Sequence, residues 1–352
     1  MLSTDATVFD AGSRARARME EYAKVLDTLS IIVFCGGTHT PVIEEKLSLY
    51  PTDSSSRFFR IRDAVKIGKR IGSADVVTVQ DPFETGWAGM KIALSLRIPL
   101  HVQVHTDFLE PSFTAMHWPL NAIRLWIAPR VLRHAARIRT VSGRIKSHIE
   151  NIYHPVAPIS VLPIFAETEK LTHIKKTHHP KFKTMLLVVS RLEKEKRIHL
   201  AIEALKQARD AGLDCGLVIV GSGREEESLK RIAHVLGVSE WVEFDGFQNN
   251  LIPYYAMAQV LLYPGAPYED YGMGIIEALA AGVPVLASDV GVAREAGAEI
   301  VPDTSGLDFG PALIAFLKKG APMPASLYSP YASKEEYLKK FADDLMIPRP
   351  LQ

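Results

Sequence analysis

Two series of short apolar runs, rich in β-branched residues, alternate along this chain with longer amphipathic segments. Such alternation is typical of parallel sheets whose consecutive strands are connected by helices that cover the faces of the sheet. The sequence therefore predicts an α/β fold. The predicted strands are Leu29–Phe34, Asp75–Gln80, Pro99–His105, Ile138–Ser142, Ile159–Pro163, Thr184–Ser190, Gly216–Gly221, Trp241–Phe244, Val260–Tyr263 and Val283–Ser288.

A polar segment rich in lysine, residues 166–183, separates the two series and is called the linker segment below. Because 352 residues exceed what one hydrophobic core usually holds, we predict two domains, over residues 1–170 and 171–330. Residues 331–352 are predicted to form a last helix, over Lys334–Met346, and a tail, which together pack back on the first domain.

The overall charge excludes some classes of protein. Lys and Arg number 41 against 40 Asp and Glu, a net charge of +1, so no nucleic-acid partner is expected. Cys35 and Cys215 lie in or beside apolar runs and are predicted to be buried thiols in a reducing compartment. No apolar run reaches the ~18 residues of a membrane span, and no signal peptide is evident, which predicts a cytoplasmic location.

The strongest motif is the segment 264–284, which follows an apolar strand and runs into a helix. Glu269 is predicted in the loop and Glu277 about one turn inside the helix, so that both can face one ligand. Gly272 and Gly274 leave backbone amides open at the start of the helix, where phosphate oxygens bind readily. The alternative is a Gly-Pro-rich turn followed by a solvated helix face.

Two further segments follow predicted strands of the second series. Arg191 and Lys196 come after the strand that begins at Thr184, and this is the edge of an α/β sheet at which a departing diphosphate could be stabilised. Gly221 and Gly223 form a turn after the next strand. Glu226 stands where a dinucleotide fingerprint has its third glycine, which argues against an NAD site. A solvated strand end and a tight turn remain the alternatives.

These segments, with Phe244–Phe247 and Ala258–Pro264, resemble the C-terminal donor domain of the family 4 glycosyltransferases over residues 184–300. The resemblance implies a GT-B fold, in which two Rossmann-like domains with parallel sheets face a central cleft. It also implies a retaining glycosyltransferase that moves a sugar from a nucleotide-sugar donor to a glycan or lipid-linked acceptor. Asp270 stands where the family commonly has a glycine, so the resemblance does not carry the identity of the donor sugar.

The resemblance also implies roles for individual residues. Glu269 would contact the donor sugar and Glu277 the ribose, while Arg191 and Lys196 would bind the diphosphate. The donor-binding residues predicted besides these are Gly12, Ser13, Gly221, Gly223, Gly272, Met273 and Gly274.

The first half of the chain resembles the acceptor domain of the same family. The segments Val79–Gly86 and Pro99–Asp107 look like its successive strand-to-loop segments, and the second contains His105 where the family has a histidine that contacts the donor sugar. Asp10–Ser13 resembles the glycine-bearing loop that precedes the first helix, here predicted over Arg14–Leu26.

Only Met1–Thr4 remain for the first strand of this domain, which is central in a doubly wound sheet. We predict that these residues form a stub strand in the middle of the sheet, or that the natural start lies upstream. The alternative is a rearranged sheet in which Leu29–Phe34 takes the central place.

The chain contains neither an Asp-x-Asp pair nor the His-rich and Cys-rich spacings of common metal sites, so no metal and no cofactor are expected. Two other functions stay open at this point. One is a sugar-nucleotide-binding protein without turnover, and the other is an epimerase or phosphorylase of the same fold.

A basic segment, residues 116–148, carries no acidic residue and interleaves Trp118 and Trp126 with its cations. This composition predicts peripheral docking on an anionic membrane surface. The alternative is an amphipathic helix that faces the core and has a solvated basic face. The basic residues are Arg124, Arg130, Arg133, Arg137, Arg139, Arg144 and Lys146.

Overall fold

The computed structural model describes residues 1–116, 118–268, 271–301, 308–320, 323 and 328–348. The chain forms two compact units, the first made of Met1–Phe165 with Tyr331–Gln352 and the second of Ala166–Pro330. Each unit contains a mostly parallel sheet with helices, so the predicted α/β class is confirmed. The division falls between Phe165 and Ala166, and the linker segment lies in the second unit.

The first unit has an eight-stranded sheet, in the order β3-β4-β2-β1-β5-β6-β7-β8. All neighbours are parallel except β3 and β4. The strands are β1 Leu2–Ser3, β2 Leu29–Val33, β3 Val42–Ile43, β4 Leu47–Pro51, β5 Val77–Val79, β6 Leu100–Val104, β7 Arg137–Thr140 and β8 Ile159–Val161. The helices in sequence order up to residue 153 are α1 Arg14–Lys24, α2 Arg60–Ile71, α3 Glu84–Leu96, α4 Pro111–Met116, α5 Leu120–His134 and α6 Gly143–Tyr153.

The strand β1 is a two-residue stub in the middle of this sheet. Leu2 pairs with Ile32 of β2 on one side and with Val79 of β5 on the other. The prediction of a central stub strand is confirmed, and β2 lies beside it rather than in its place. The strands β3 and β4 were not predicted, although Leu47 and Leu49 of β4 are buried in alternation with half-buried residues.

The second unit has a six-stranded, wholly parallel sheet in the order β11-β10-β9-β12-β13-β14. The strands are β9 Thr184–Val189, β10 Cys215–Val220, β11 Val242–Gly246, β12 Val260–Tyr263, β13 Val285–Ser288 and β14 Glu299–Val301. The helices are α7 His199–Asp210, α8 Glu226–Val235, α9 Ile252–Met257, α10 Met273–Ala280, α11 Ala293–Ala296 and α12 Phe309–Lys319.

The linker segment packs against the second unit. Leu171 and Phe182 are buried, and the Nζ of Lys176 donates to the carbonyl of Tyr255 at 3.1 Å. Burying these two apolar side chains fixes a segment whose polar composition alone indicated a linker. Cys35 and Cys215 are both buried free thiols, as predicted.

The last helix, α13 Lys334–Leu345, belongs to the first unit. Ser333 caps it by accepting from the amide of Glu336. Phe341 is fully buried and stacks on Tyr22 of α1 with ring centroids 4.1 Å apart. The Tyr22 and Tyr337 hydroxyls lie 2.6 Å apart, so aromatic packing and a buried hydrogen bond both hold the helix against α1.

Candidate functional site

The candidate site of the second unit lies at the carboxyl ends of β9, β10 and β12, where the predicted cationic and glycine-bearing segments meet. The amide of Ala266, after β12, donates to the carbonyl of Glu195, after β9, at 2.9 Å. Lys196 lines a small pocket at this edge together with Ser190, Tyr263, Pro264 and Gly265. The segment after β9 and the segment after β12 are therefore joined directly at the carboxyl edge of the sheet, which is where α/β sheets bind ligands.

Arg191 is an exposed cation at this edge. Its side chain is 65% exposed and its Nη2 lies 3.5 Å from Oε1 of Glu195. Exposed ion pairs of this kind contribute little to stability, so the guanidinium can turn toward an anionic ligand at small cost.

Two glycines place the loop that carries Arg191. A Cβ atom on Gly221, whose φ is +144°, would lie 1.8 Å from the carbonyl oxygen of Ser190, and one on Gly223 would lie 2.3 Å from that of Leu192. The amide of Leu192 donates to the carbonyl of Ser222 at 2.9 Å, and this hydrogen bond joins the loop of Arg191 to the turn at Gly221 and Gly223. The amide of Gly221 donates to the carbonyl of Gly246. The two glycines thus have a packing role, and their contact with a donor stays a prediction.

The start of α10 lies at the same edge. Gly272 precedes the helix with φ +92°, in the left-handed region that favours glycine. A Cβ on Gly274 would lie 3.5 Å from the carbonyl oxygen of Val189, the last residue of β9, which places the first turn of α10 beside the loop of Arg191. Met273 and Gly274 are in this first turn, where amides have no acceptor within the helix.

Glu277 lies in α10, as predicted, and a buried tyrosine orients its carboxylate. The hydroxyl of Tyr255 donates to Oε2 of Glu277 at 3.0 Å, and Tyr255 is fully buried. Burial, together with the negative charge of Glu277, raises the pKa of Tyr255 well above its usual value, so the phenol stays protonated and donates. Tyr255 was not predicted, because nothing in the pattern of α9 connects it to a residue 22 positions away.

Glu269 and Asp270 lie outside the described residues, so the first glutamate of the pair has no structural description. Its contact with a donor sugar stays a prediction.

In the first unit, the predicted loop and helix at residues 10–24 are present. The Oγ of Ser13 accepts from the amide of Arg16 and donates to the carbonyl of Thr7 at 2.7 Å, so this hydroxyl caps α1. The amide of Gly12 donates to Oδ1 of Asp10 at 3.0 Å. Local structure thus accounts for Gly12 and Ser13, and their role in donor binding stays a prediction.

His105 directly follows β6 at the carboxyl edge of the first sheet. Its Nε2 lies 3.3 Å from Oε1 of Gln103. Burial of the ring, and then the nearby charge of Arg139, lowers the pKa of His105 to about 3. The imidazole is therefore neutral at physiological pH, and it can orient a hydroxyl without carrying charge.

The basic segment does not form one continuous basic face, because the fold uses most of its cations internally. Arg139 is buried, and three of the other arginines pair with acidic residues of the first unit. These pairs are Arg124 with Glu84, Arg137 with Asp344, and Arg144 with Asp107 and Glu110. What remains at the surface is the outer side of α5 and the turn before it, where Trp118, Ile123 and Trp126 are 72, 54 and 55% exposed.

Two clusters of metal-ligating side chains occur in the described part of the first unit, Cys35 with His39 and Asp53, and Asp107 with Glu110 and His148. The side chains of each cluster are bonded to other protein groups. The backbone amide and the ring of His39 contact the two carboxylate oxygens of Asp53, and Arg144 forms ion pairs with Asp107 and Glu110 of the second cluster. These contacts explain why the groups lie together. Within the described residues, no helix combines the length and hydropathy needed to cross a bilayer.

Two family models match consecutive parts of the chain. Glycosyltransferase Family 4 matches residues 17–170, and Glycosyl transferases group 1 matches residues 169–304. The GDP-mannose-dependent alpha-(1-6)-phosphatidylinositol monomannoside mannosyltransferase of Mycobacterium tuberculosis is 31% identical over 230 residues, 60% of each chain. The enzyme of that name from Mycolicibacterium smegmatis is 29% identical over 250 residues, 66% of this chain and 63% of the relative. The chain thus spans about three-fifths of these relatives.

Solved structures match nearly the whole chain. The apo form of the lipopolysaccharide outer core galactosyltransferase WaaB superposes with a TM-score of 0.71, at 16% identity and over 97% of both chains. Anabaena HepE, solved in complex with UDP and glucose, superposes with a TM-score of 0.67, at 16% identity and over 98% of this chain and 94% of its own. At such identity the likeness defines the fold alone.

The contact between the turn at Gly221 and the loop of Arg191 can be tested by substitution. Gly221→Ala should lower the free energy of unfolding by roughly 2–5 kcal/mol, because left-handed strain of about 1–2 and overpacking of about 1–3 add. Gly212 also has a positive φ, +80°, but open space around its Cβ position. Gly212→Ala should therefore lower the free energy of unfolding only by the contribution of left-handed strain. Urea denaturation measures both, and equal losses in the two variants would refute the close approach.

Proposed function

This chain belongs to the family 4 glycosyltransferases and has their GT-B fold, and we propose that it moves a sugar from a nucleotide-sugar donor to a glycan or lipid-linked acceptor with retention of the anomeric configuration. The observation that carries the proposal is the edge of the second sheet. There the loop of Arg191 and Lys196 lies beside the first turn of α10, and Tyr255 orients the carboxylate of Glu277.

The cations of this edge would serve the leaving group. As the bond from the anomeric carbon to the diphosphate breaks, Arg191, Lys196 and the first-turn amides of Met273 and Gly274 stabilise the charge that develops on the phosphate oxygens. Glu277 would hold the ribose hydroxyls, and Glu269 and His105 the hydroxyls of the sugar, as the family resemblance implies.

The rest of the reaction needs no protein nucleophile. The acceptor oxygen bonds to the anomeric carbon on the face that the diphosphate leaves, and the acceptor proton passes to the departing phosphate oxygen. The protein contributes by holding the donor and the acceptor close together in the orientation that the reaction needs. No metal is assigned to this proposal.

GDP-mannose and a lipid-linked acceptor are the first substrates to test. The two mycobacterial relatives are named as GDP-mannose-dependent enzymes that act on a phosphatidylinositol mannoside. The HepE structure instead holds UDP and glucose, so both bases belong in the donor panel. A ligand present at a hundred times its Kd stabilises a protein by ~2.7 kcal/mol, which a thermal-shift panel detects.

A lipid-linked acceptor would require access to a membrane, and the outer side of α5 offers a surface for one. Trp118, Ile123 and Trp126 are exposed there, and the guanidinium of Arg130 lies 3.6 Å from the ring centroid of Trp126. We propose that this surface docks on anionic lipid, with the tryptophans at the headgroup level and Arg130 and the exposed Arg133 near the phosphates.

Removal of either cation of the edge should slow the reaction. Arg191→Ala and Lys196→Ala should each lower kcat about 10²–10³-fold, because one lost electrostatic donor costs ~2.7–4 kcal/mol in the transition state. Lys194→Ala is the matched control, since it removes an exposed lysine from the same helical turn. Initial rates of donor consumption with acceptor present give the result. Donor that binds but is never consumed, or equal losses in all three variants, would contradict the proposal.

The two ends of the donor should respond to different variants. Glu277→Ala should weaken binding of the free nucleoside diphosphate by about tenfold or more, ~1.4 kcal/mol, and Tyr255→Phe should weaken it less. Glu269→Ala should affect only the sugar-bearing donor. Tyr254→Phe, at the neighbouring position, serves as the control for loss of a hydroxyl. Calorimetric titration with the free nucleoside diphosphate and with the corresponding nucleotide-sugar separates these cases, and equal losses for both ligands in every variant would exclude the assignment.

If the outer side of α5 docks on membranes, the protein should co-sediment with anionic vesicles, and the bound fraction should decrease as the salt concentration rises. Trp126→Ala combined with Arg130→Ala should reduce the bound fraction, since a cation near the surface contributes about 1 kcal/mol. Phe58→Ala, which removes an aromatic ring that is 85% exposed elsewhere on the same unit, should not. Absence of binding at every salt concentration would leave α5 as an ordinary solvated helix.

A further inference from the structure

A chain of hydrogen bonds runs through the first unit from α13 to His105. The Oδ2 of Asp344 lies 3.0 Å from Nε2 of His101, whose Nδ1 lies 2.8 Å from the hydroxyl of Thr78. That hydroxyl accepts from Nε2 of Gln103 at 3.0 Å, and Oε1 of Gln103 lies 3.3 Å from Nε2 of His105. Every member before His105 is buried, so each needs its partner.

The sheet register brings these side chains together. Thr78 of β5 lies opposite His101 of β6, and Gln103 of β6 lies opposite Arg139 of β7. His101 and Gln103 are two residues apart on one strand and therefore share a face of the sheet.

The donor and acceptor roles are fixed at one end of the chain by Asp344. Burial raises the pKa of this carboxyl, but the hydrogen bonds from His101 and Ser160 and the charge of Arg137 outweigh burial and lower it. An ionised carboxylate only accepts, so Nε2 of His101 carries the proton. Burial lowers the pKa of His101, which leaves the ring neutral with Nδ1 as an acceptor for the hydroxyl of Thr78. That hydroxyl then has a lone pair for the amide of Gln103.

The roles are fixed independently at the other end by Arg139. Its guanidinium has no acceptor, and its Nη1 donates to Oε1 of Gln103 at 3.0 Å. This contact orients the Gln103 amide, with Oε1 toward Arg139 and His105 and Nε2 toward Thr78. Both ends of the chain therefore require the same orientation. Because Oε1 only accepts, the proton at the contact with His105 belongs to Nε2 of the histidine.

We propose that Gln103 is a positioning residue that holds His105 as the Nε2–H tautomer, so that Nδ1 offers a lone pair to a hydroxyl of the donor sugar. The inference rests on the proposed function only for its ligand, the donor sugar. It adds a specificity rule: the sugar position that meets His105 must carry a hydroxyl that donates. A donor sugar in which hydrogen or fluorine replaces that hydroxyl has no O–H to donate to Nδ1 and should react poorly.

The charge of Arg139 supports this assignment from a second direction. Imidazolium would have two N–H donors, and burial together with Arg139 opposes it by lowering the pKa of His105 to about 3. The ring is thus in its single-proton form across the physiological range, and the contact with Oε1 of Gln103 places that proton on Nε2.

The tautomer can be read directly, without substrate. The full chain is labelled with ¹⁵N-histidine, and long-range proton–nitrogen correlations are recorded between pH 8 and pH 5; His105→Gln identifies the signals of His105. We expect a protonated Nε2 and an unprotonated Nδ1 throughout. A protonated Nδ1, either in the other tautomer or in imidazolium, would overturn the proposal whether or not the protein transfers sugar.

Variants of Gln103 connect the tautomer with catalysis. Gln103→Leu removes the acceptor and should convert the His105 signals into those of a tautomer mixture. It should also lower kcat/KM for the sugar donor about tenfold while the Kd of the free nucleoside diphosphate stays unchanged. Gln103→Glu keeps an oxygen acceptor, so it should preserve the proton on Nε2 and raise the pKa of His105, which gives a readout if the leucine variant fails to fold.

Thr140→Val is the matched control, because the Thr140 hydroxyl is buried in the adjacent strand and, among the described residues, its acceptors are the backbone carbonyls of Ser142 and Ser160. It should leave the His105 signals as in the parent. Unchanged signals and unchanged kcat/KM in Gln103→Leu would refute the positioning role. Normal tautomer signals in a protein that consumes no donor would instead refute the proposed function and leave the tautomer assignment in place.

Discussion

The candidate site of the second unit depends on two backbone segments that approach each other with no room for a side chain. The carbonyl of Ser190 occupies the place that a Cβ on Gly221 would need, and the carbonyl of Leu192 occupies that of Gly223. This contact determines the path of the loop that carries Arg191 and Lys196. The same loop is bonded to the segment after β12, so the cations, the start of α10 and Glu277 are all positioned relative to one rigid edge.

The interiors of the two units differ in composition. The second unit has an apolar core, in which β9 and β10 are buried almost without interruption. The first unit buries Thr78, His101, Gln103, Arg139 and Asp344 on adjacent strands and the helix that covers them. Such groups are costly unless each is bonded, and here each bond direction is compatible with the next. A polar interior of this kind specifies one arrangement of α13 and the sheet more strictly than apolar contacts would.

The sequence predicted the parts of this structure that depend on local pattern. All ten predicted strands are present, Glu277 lies inside α10, and even the two-residue strand β1 followed from the need to fill the middle of the sheet. The parts that depend on partners distant in sequence were not predictable. Tyr255 reaches Glu277 across 22 residues, and Asp344 reaches His101 across 243, and neither pair has a periodic signal. The internal pairing of the basic segment was not predictable for the same reason, since its acidic partners Glu84 and Asp107 lie outside it.

The return of α13 to the first unit affects the order in which the chain can fold during synthesis. Tyr337 and Phe341 complete the packing around Tyr22, yet the ribosome makes them only after the whole second unit. The second unit is continuous in sequence and can close its core as soon as it emerges. Residues 1–165 emerge first, but the face that α13 covers stays exposed to water until α13 has been made. This order is the reverse of the usual one, in which domains fold from the amino terminus onward.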